Sequence, residues 1–332
     1  MAKVIDLLNL QPTVITRDLS NKYLLLAAPY KFGKTTFMCN IPGALVLSFE
    51  PGLNAHAGVY AQKISSWSEL KAVCRELTKP AVQEKFKCIC FDTIEIAATM
   101  CQDFVCARAG VQALGDVGYG KLYKEYEIEF GRTIRSIAML GYGCVFACHT
   151  EVKTIDTGRG DDSVIERLQP KLDKRAFDII NGLVDIIGVG VMQFDEAGNQ
   201  RRVLYTTETP TVRAGNRFAY FPPVIEFSYQ AVLDSLSNAI EKEGQLNKAS
   251  IVDTIDQTNE TLDYNQLRTE AQNLWVQLVG TGEQANEEMA RRIMKRVEMI
   301  FGQAKKISEI TEDQVDLLNL VVLDMKDLAA EK

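Results

Sequence analysis

Residues 23–37 read YLLLAAPYKFGKTTF, and this stretch decides the fold class of the chain. An apolar, strand-like run over residues 23–28 leads into a turn and then into a Gly-Lys-Thr-Thr sequence, the pattern of a phosphate-binding loop. In such a loop, successive backbone amides point inward and the next helix adds its positive end. Lys34 supplies a cation to the β- and γ-phosphates of a nucleotide, and Thr35 holds Mg²⁺. The predicted loop comprises Ala28, Pro29, Tyr30, Lys31, Phe32, Gly33, Lys34, Thr35 and Thr36.

The first residue of this loop departs from the full pattern. That pattern has glycine five residues before Gly33, where this chain has Ala28. Alanine disfavours the positive φ that glycine tolerates, so we expect the turn to begin differently. A chance Gly-Lys-Thr after a strand is the alternative, and the correct upstream strand argues against it.

Length and composition favour a folded α/β protein with two parts. The 332 residues, 46% of them hydrophobic, suffice for one large domain and a smaller one. No apolar run approaches the roughly 18 residues that span a bilayer, and the start MAKVIDLLNLQPT lacks the apolar core of a signal peptide. We therefore expect a cytoplasmic protein without a membrane partner.

The cysteines and the net charge argue against disulfides, a zinc site and bulk electrostatic binding of nucleic acid. The chain has eight cysteines, no CxxC pair and two histidines, which favours buried reduced thiols over disulfides or zinc. A net charge of -7 argues against coating nucleic acid by bulk electrostatics. Any contact with DNA must come from local basic patches.

The order of predicted elements indicates a mostly parallel sheet flanked by helices. Apolar runs at residues 23–28, 44–49, 87–91, 143–148 and 186–192 alternate with amphipathic stretches, as in an α/β domain. We predict this domain over residues 1–243, a polar linker over 244–259, and a small helical bundle over 260–332.

Three polar residues follow predicted strands and meet at the sheet edge where ligands bind. Asp92 ends the run FKCICFD and is placed to orient Mg²⁺ or its water. Glu50 ends VLSFE and is a candidate to polarise the attacking water, as hydrolysis requires. His149 follows GCVFAC and is a candidate sensor of the γ-phosphate. The alternatives are a surface aspartate, an ordinary strand-end glutamate and a capping histidine.

The motif order resembles a known family. AAPYKFGKTT, SFEPGL, CICFDTI and CVFACHT follow one another as in the RecA-like recombinase core, and most resemble phage RecA-like single-strand annealing proteins. Such proteins are often labelled phage nucleotide-binding or AAA-family ATPases. The resemblance covers about residues 1–240 and leaves out the C-terminal bundle.

The resemblance implies an ATP-dependent enzyme with Mg²⁺ as its cofactor. Glu50 becomes the water-activating base, Lys34 the phosphate ligand, Thr35 and Asp92 the residues at the metal, and His149 the nucleotide sensor. Such enzymes oligomerise, as a ring or a filament, and place the nucleotide between subunits. If a phage encodes the chain, its location is the cytoplasm of a bacterial host.

The resemblance also gives two loops a function. Residues 108–123 and 151–175 occupy the places of the two loops that bind single-stranded DNA inside a filament. Acidic Asp161 and Asp162 weaken the second loop as a DNA surface, and a surface loop without a ligand is the alternative. The candidate DNA contacts are Arg108, Tyr119, Lys121, Lys153, Arg159, Arg167 and Lys171.

The resemblance also implies that a neighbouring subunit contributes a cation to the nucleotide site. The segment VRAGNRFAYF resembles the NRF motif of RadA-type relatives, which makes Arg217 the first candidate and Arg213 the second. The family pattern has lysine where this chain has Gly215. A strand-turn arginine without a partner is the alternative.

Two functions of different classes follow. One is a DNA-stimulated ATPase that promotes annealing or strand exchange on single-stranded DNA. The other is a nucleotide-gated oligomeric binding module, and a helicase or helicase loader shares the NRF-like motif. The C-terminal bundle is a candidate contact for a single-stranded-DNA-binding protein or a replication partner.

Overall fold

The computed structural model of the chain describes residues 15–53, 56–156, 164–247, 251–252, 262–282 and 285–330. Its residues group into two compact units, one spanning residues 12–259 and one that includes residues 260–332. The first is a sheet flanked by helices and the second is helical. The predicted α/β class with C-terminal helices is therefore confirmed.

Strands make up the core of the first unit. The strands of the described residues are β1 (Ile15–Thr16), β2 (Tyr23–Ala27), β3 (Ala44–Ser48), β4 (Tyr60–Lys63), β5 (Cys88–Asp92), β6 (Gly143–Cys148), β7 (Thr150–Asp156), β8 (Val164–Pro170), β9 (Ile186–Phe194), β10 (Gln200–Tyr205), β11 (Gly215–Asn216), β12 (Val224–Glu226) and β13 (Ile251–Val252).

Helices flank this sheet and form the second unit. The α-helices of the described residues are α1 (Lys34–Cys39), α2 (Trp67–Leu77), α3 (Pro80–Lys85), α4 (Ile94–Ala109), α5 (Lys121–Ala138), α6 (Lys174–Leu183), α7 (Tyr229–Asn247), α8 (Tyr264–Val279), α9 (Glu287–Phe301) and α10 (Val315–Ala330). Within these residues, no helix has the length and apolar character needed to cross a membrane.

The main sheet runs in the order β12-β10-β9-β2-β6-β5-β3-β4, with β11 added beside β9. The strands from β9 to β4 pair in parallel, whereas β10, β11 and β12 add antiparallel pairs at one end. Because β6 lies between β2 and β5, the loop after β2 faces the end of β5 across one strand. The sheet thus brings the strand-end residues to one edge.

The central strands β2, β5 and β6 are buried on both faces, and nearly all of their residues are apolar. Along β2, Leu25 and Ala27 face a core shared with α2, α4, α5 and α6, and Leu24 and Leu26 face a core shared with α1 and α7. Alternate residues of a strand point to opposite faces, so one apolar run supplies both cores.

All eight cysteines are free thiols, in line with the expectation of reduced cysteines. Four of them lie in β5 and β6 and are fully buried in the two cores. Burial raises the pKa of Cys144 and Cys148 well above the usual thiol range.

The second unit packs α8, α9 and α10 around their predicted apolar faces. Leu267 and Ala271 of α8, Ile293 of α9, and Val322 and Met325 of α10 belong to one buried cluster. The side-chain oxygen of Gln314, just before α10, accepts a hydrogen bond from the Thr311 backbone at 3.3 Å.

The structure corrects three details of the predicted elements. Within the predicted loop 151–175, residues 151–156 and 164–170 pair as the antiparallel strands β7 and β8, and residues 157–163 lie outside the described residues. The predicted linker at 244–259 begins inside α7, which extends to Asn247, and residues 253–259 lie outside the described residues. The last predicted strand run ends at residue 192, whereas β10, β11 and β12 extend the sheet beyond it.

Candidate nucleotide-binding site

The loop after β2 curls around the ammonium group of Lys34. Lys34 Nζ donates hydrogen bonds to the carbonyl oxygens of Ala28, at 2.9 Å, and Pro29, at 3.0 Å. Burial lowers the pKa of Lys34, and the charges of Glu95, Asp92 and Glu50 oppose that shift. Among the described residues, the hydrogen-bond acceptors of this cation are carbonyls of its own loop, which fits an anionic ligand.

Ala28 is accommodated without a left-handed backbone. The loop places Lys31 at φ 59° and Gly33 at φ 108°, while Ala28 stays outside the positive-φ region. The Ala28 N–H donates to Cys148 O at 3.1 Å, which continues the pairing of β2 with β6. A Cβ on Gly190 of β9 would lie 2.9 Å from Ala28 Cβ and 2.7 Å from the Phe32 ring. The missing side chain at Gly190 thus makes room for alanine in place of glycine.

Thr35 and Asp92 lie in contact at the site predicted for the metal. Thr35 Oγ1 donates to Asp92 Oδ2 at 2.8 Å, and a Cβ on Gly52 would stand 3.7 Å from the same carboxylate oxygen. Burial raises the pKa of Asp92, and the hydrogen bond from Thr35 opposes this. A hydroxyl and a carboxylate are hard oxygen donors of the kind Mg²⁺ takes, so these residues fit the ion.

Glu50 follows β3, the strand that pairs with β5, and so lies beside the end of β5 that carries Asp92. The Phe49 N–H donates to Asp92 O at 2.8 Å, and Ser48 Oγ donates to Glu50 O at 2.7 Å, which fixes the turn that carries the glutamate. Burial and the charge of Asp92 raise the pKa of Glu50. The carboxylate is partly exposed, so solvent reaches it and it is placed to accept a proton from water.

His149 is held by a residue that the sequence did not single out. Its backbone N–H donates to Glu95 Oε1 at 3.1 Å, and its Nδ1 makes a short contact with the same oxygen. The Tyr30 ring of the loop stacks on the imidazole with centroids 3.6 Å apart. Glu95 Oε2 is buried, and none of the residues that the structure describes gives it a hydrogen-bond partner. Glu95 therefore positions His149, and its other oxygen is left for a water or a ligand.

The available signal for Glu95 was its place in the chain. It stands three residues after Asp92, in the first turn of α4. Since β5 delivers Asp92 to the sheet edge, a side chain in the first turn of the following helix reaches the same edge.

The candidate DNA contacts fall into two groups. Arg108 lies 3.0 Å from Glu125 and 3.7 Å from Glu129, and Arg167 forms a close ion pair with Glu208. Tyr119, Lys121, Lys153 and Lys171 are exposed, and Arg159, Asp161 and Asp162 lie outside the described residues.

Both arginines predicted to act in a neighbouring subunit are engaged within their own chain. Arg217 Nη1 lies 3.2 Å from Asp185 Oδ1, and its Nη2 donates to Gly182 O at 3.0 Å. The Arg213 guanidinium lies 4.0 Å from the centroid of the Phe177 ring. A role in a partner site requires that these contacts be exchanged.

Comparisons with known proteins identify the family of the chain. The SPbeta prophage-derived uncharacterized protein YorG of Bacillus subtilis is 28% identical over 341 residues, covering 98% of this chain and 99% of the relative. The match to the KaiC-like protein PH0186 of Pyrococcus horikoshii OT3 covers 60% of this chain and 84% of that protein, with 12% identity and a TM-score of 0.32. A sequence model of the AAA domain matches residues 20–218, which include β2, the loop, Glu50, Asp92 and His149. The chain therefore belongs to the AAA domain family.

Proposed function

We propose that this protein binds and hydrolyses ATP in a RecA-like site and acts on single-stranded DNA in recombination or annealing. The observation that carries the proposal is the gathering of Lys34, Thr35, Asp92 and Glu50 at the carboxyl edge of one sheet. A phosphate cation, two oxygen donors for a metal and a carboxylate base are the parts that phosphoryl transfer to water needs.

Each side chain has a role that its present contacts support. Lys34 exchanges the carbonyls of Ala28 and Pro29 for phosphate oxygens. Mg²⁺, when bound, neutralises charge on the phosphates. Glu50 accepts the proton of the attacking water, and its raised pKa brings it closer to a working pH near neutrality.

Action on DNA is supported by a short link from the site to the hairpin. His149 O accepts a hydrogen bond from the Lys171 N–H at 2.8 Å, and Thr150 begins β7 directly after His149. A shift of His149 on nucleotide binding would therefore move both ends of the hairpin that carries Lys153. The prophage origin of the Bacillus relative supports a phage-encoded protein of the host cytoplasm.

An oligomer belongs to the same proposal. A ring or filament would bring Arg217 or Arg213 of one subunit to the nucleotide of the next, once the contact with Asp185 or Phe177 is released. The separate helical unit is the surface we propose for a single-stranded-DNA-binding protein or a replication partner.

A second candidate is an ATP-gated binding module in which hydrolysis is slow. The pairing of Arg108 with Glu125 and of Arg167 with Glu208 favours it, because both cations are already neutralised. Under this candidate the nucleotide locks an assembly, and DNA has no effect on turnover.

ATP turnover with and without single-stranded DNA, on the wild type and on Glu50→Gln, separates the candidates. We expect DNA to stimulate the wild type and Glu50→Gln to lower turnover about 10²- to 10⁴-fold with ATP binding intact. Glu84→Gln, on the exposed surface of α3, is the control for loss of a carboxylate. If DNA neither binds nor changes turnover, the recombination function is wrong and the gated module stands; unchanged turnover in Glu50→Gln removes the base assignment.

A further inference from the structure

We propose that Arg202 binds the phosphates of the nucleotide from within the same chain. The inference rests on the proposed ATP site and adds to it a second cation, on the opposite side of the loop from the carboxylates. Arg202 lies in β10, outside every motif that the sequence pattern singles out.

The register of β10 places Arg202 on the face of the sheet that carries the loop. Leu204, two residues along the strand, is buried in the core that contains Phe37 and Met38 of α1. Since residues two apart in a strand share a face, Arg202 lies on the α1 side. Its Nη1 is 3.4 Å from the position that a Cβ on Gly33 would occupy.

Aromatic contacts hold the guanidinium beside the loop. Its central carbon lies 5.7 Å from the centroid of the Phe32 ring, and Phe32 is 5% exposed. Phe32 packs edge-to-face against Phe227 at 4.8 Å, in the space left open by Gly190. The Phe227 N–H donates to Arg202 O at 3.0 Å, which fixes the backbone of the arginine. The position of Arg202 is therefore built by packing.

The charge of Arg202 is available to a ligand. Among the described residues, no carboxylate forms an ion pair with it, whereas Arg108, Arg167 and Arg217 each pair with an acid. An exposed guanidinium without an ion-pair partner among the described residues, with its Nη1 3.4 Å from where a Cβ on Gly33 would lie, attracts a polyanion.

Phosphate is the chemistry that this geometry selects. A guanidinium presents several N–H donors in a fixed plane, matches the oxygens of a phosphate, and stays charged throughout the physiological range. Lys34 lies inside the loop, where the carbonyls of Ala28 and Pro29 accept its hydrogen bonds. Arg202 reaches the loop from strand β10. The two cations together would bracket the phosphate chain.

Arg201 provides a matched control, because it is the neighbouring residue and its side chain lies on the other face of β10, opposite Gln193 of β9. The experiment is calorimetric titration of the full chain, with Mg²⁺ present, using ATP and inorganic tripolyphosphate as separate ligands. The variants are Arg202→Ala, Arg202→Lys and Arg201→Ala, each checked for an unchanged melting temperature.

We expect Arg202→Ala to weaken the binding of both ligands by about 10- to 100-fold. Arg202→Lys retains part of the affinity and Arg201→Ala retains all of it. Equal affinities of Arg202→Ala and Arg201→Ala would overturn the inference and leave the ATP site standing. A loss for ATP with none for tripolyphosphate would also overturn it, since Arg202 would then contact the base or ribose. A wild type that binds neither ligand refutes the ATP site itself, and Arg202 with it.

Discussion

The nucleotide site and the regions predicted to bind DNA are built in opposite ways. Around Lys34, three carboxylates and a histidine come from the ends of separate strands and from the helix after β5, and they face one another. In residues 108–123 and in the hairpin of β7 and β8, the cations lie within single elements and point to solvent or pair with nearby acids. A parallel sheet brings the residues that follow its strands together at one edge, but it does not fix the positions of side chains in the segments between the strands.

The largest effect that would sharpen this contrast is expected at Glu95. Glu95→Ala removes the carboxylate that accepts from the His149 backbone N–H and contacts its Nδ1, and so frees the imidazole that stacks on Tyr30. Because misplacement of a group in a site costs up to about 100-fold in rate, we expect ATP turnover to fall about 10- to 100-fold. Steady-state hydrolysis measures this.

The imidazole signals in a ¹⁵N NMR spectrum give an independent measure. The chain has two histidines, so the signal that disappears in His149→Asn is that of His149. That signal should shift in Glu95→Ala even without nucleotide. Normal turnover with an unshifted signal would show that Glu95 of α4 does not belong to the site formed by the strand ends.

Rigidity of the site is tested by Gly190→Ala. The added Cβ would lie under 3.0 Å from Phe32 and Ala28, so we expect a loss of about 1–3 kcal/mol in the free energy of unfolding. Denaturant melts measure it. Gly182→Ala in α6 is the control, because its Cβ meets nothing within 4 Å and should be neutral or slightly stabilising. Equal stabilities of the two variants would mean that the loop is not fixed against β9.

The DNA regions are tested by comparing an exposed cation with a paired one. Lys153→Ala should weaken single-stranded DNA binding about threefold and lower the slope of log affinity against log salt by about 0.7. Arg108→Ala should leave that slope unchanged, since Glu125 and Glu129 already neutralise the charge. Fluorescence anisotropy with a labelled oligonucleotide at several salt concentrations gives both values. A larger slope change in Arg108→Ala would show that DNA displaces the acids.

The smallest effect concerns the pH dependence of hydrolysis. Glu50 must be ionised to accept a proton, so turnover falls as the pH drops through its raised pKa, at a higher pH than for an ordinary glutamate. The charge of Glu95 contributes to that raised pKa, and therefore Glu95→Gln should move the acidic limb of its residual turnover to lower pH. Glu125→Gln should leave the limb in place. A limb that stays fixed in Glu95→Gln would assign it to another group.

The sequence predicted what apolar patterning determines. Strands β2, β3, β5, β6 and β9 are apolar and buried on both faces, and each was found at nearly the predicted residues. Strand β4 reads YAQK and is exposed throughout, so it carries no such pattern. The hairpin was missed because β7 and β8 mix polar with apolar residues and are only partly buried, so neither strand is a continuous apolar run.

The sequence predicted the site residues that directly follow strands. It did not predict those that tertiary packing brings to the site. Lys34 was placed from the phosphate-binding loop pattern, and Asp92 and Glu50 from their positions after predicted strands. The roles of these residues and the DNA and neighbouring-subunit contacts remain predictions. Glu95 stands within a helix, and Arg202 reaches the loop only because β10 pairs with β9. Such proximity depends on the tertiary fold, which no local pattern encodes.

The reactivity of the buried cysteines reports local unfolding of the sheet. Thiolates are the reactive form, and burial disfavours them at Cys144 and Cys148, so these thiols react with an alkylating reagent only when the sheet separates. Cys39 and Cys74 are half-buried and would label first. Since Cys148 immediately precedes His149, its labelling rate would record how far a bound ligand locks the strand end, without any added probe.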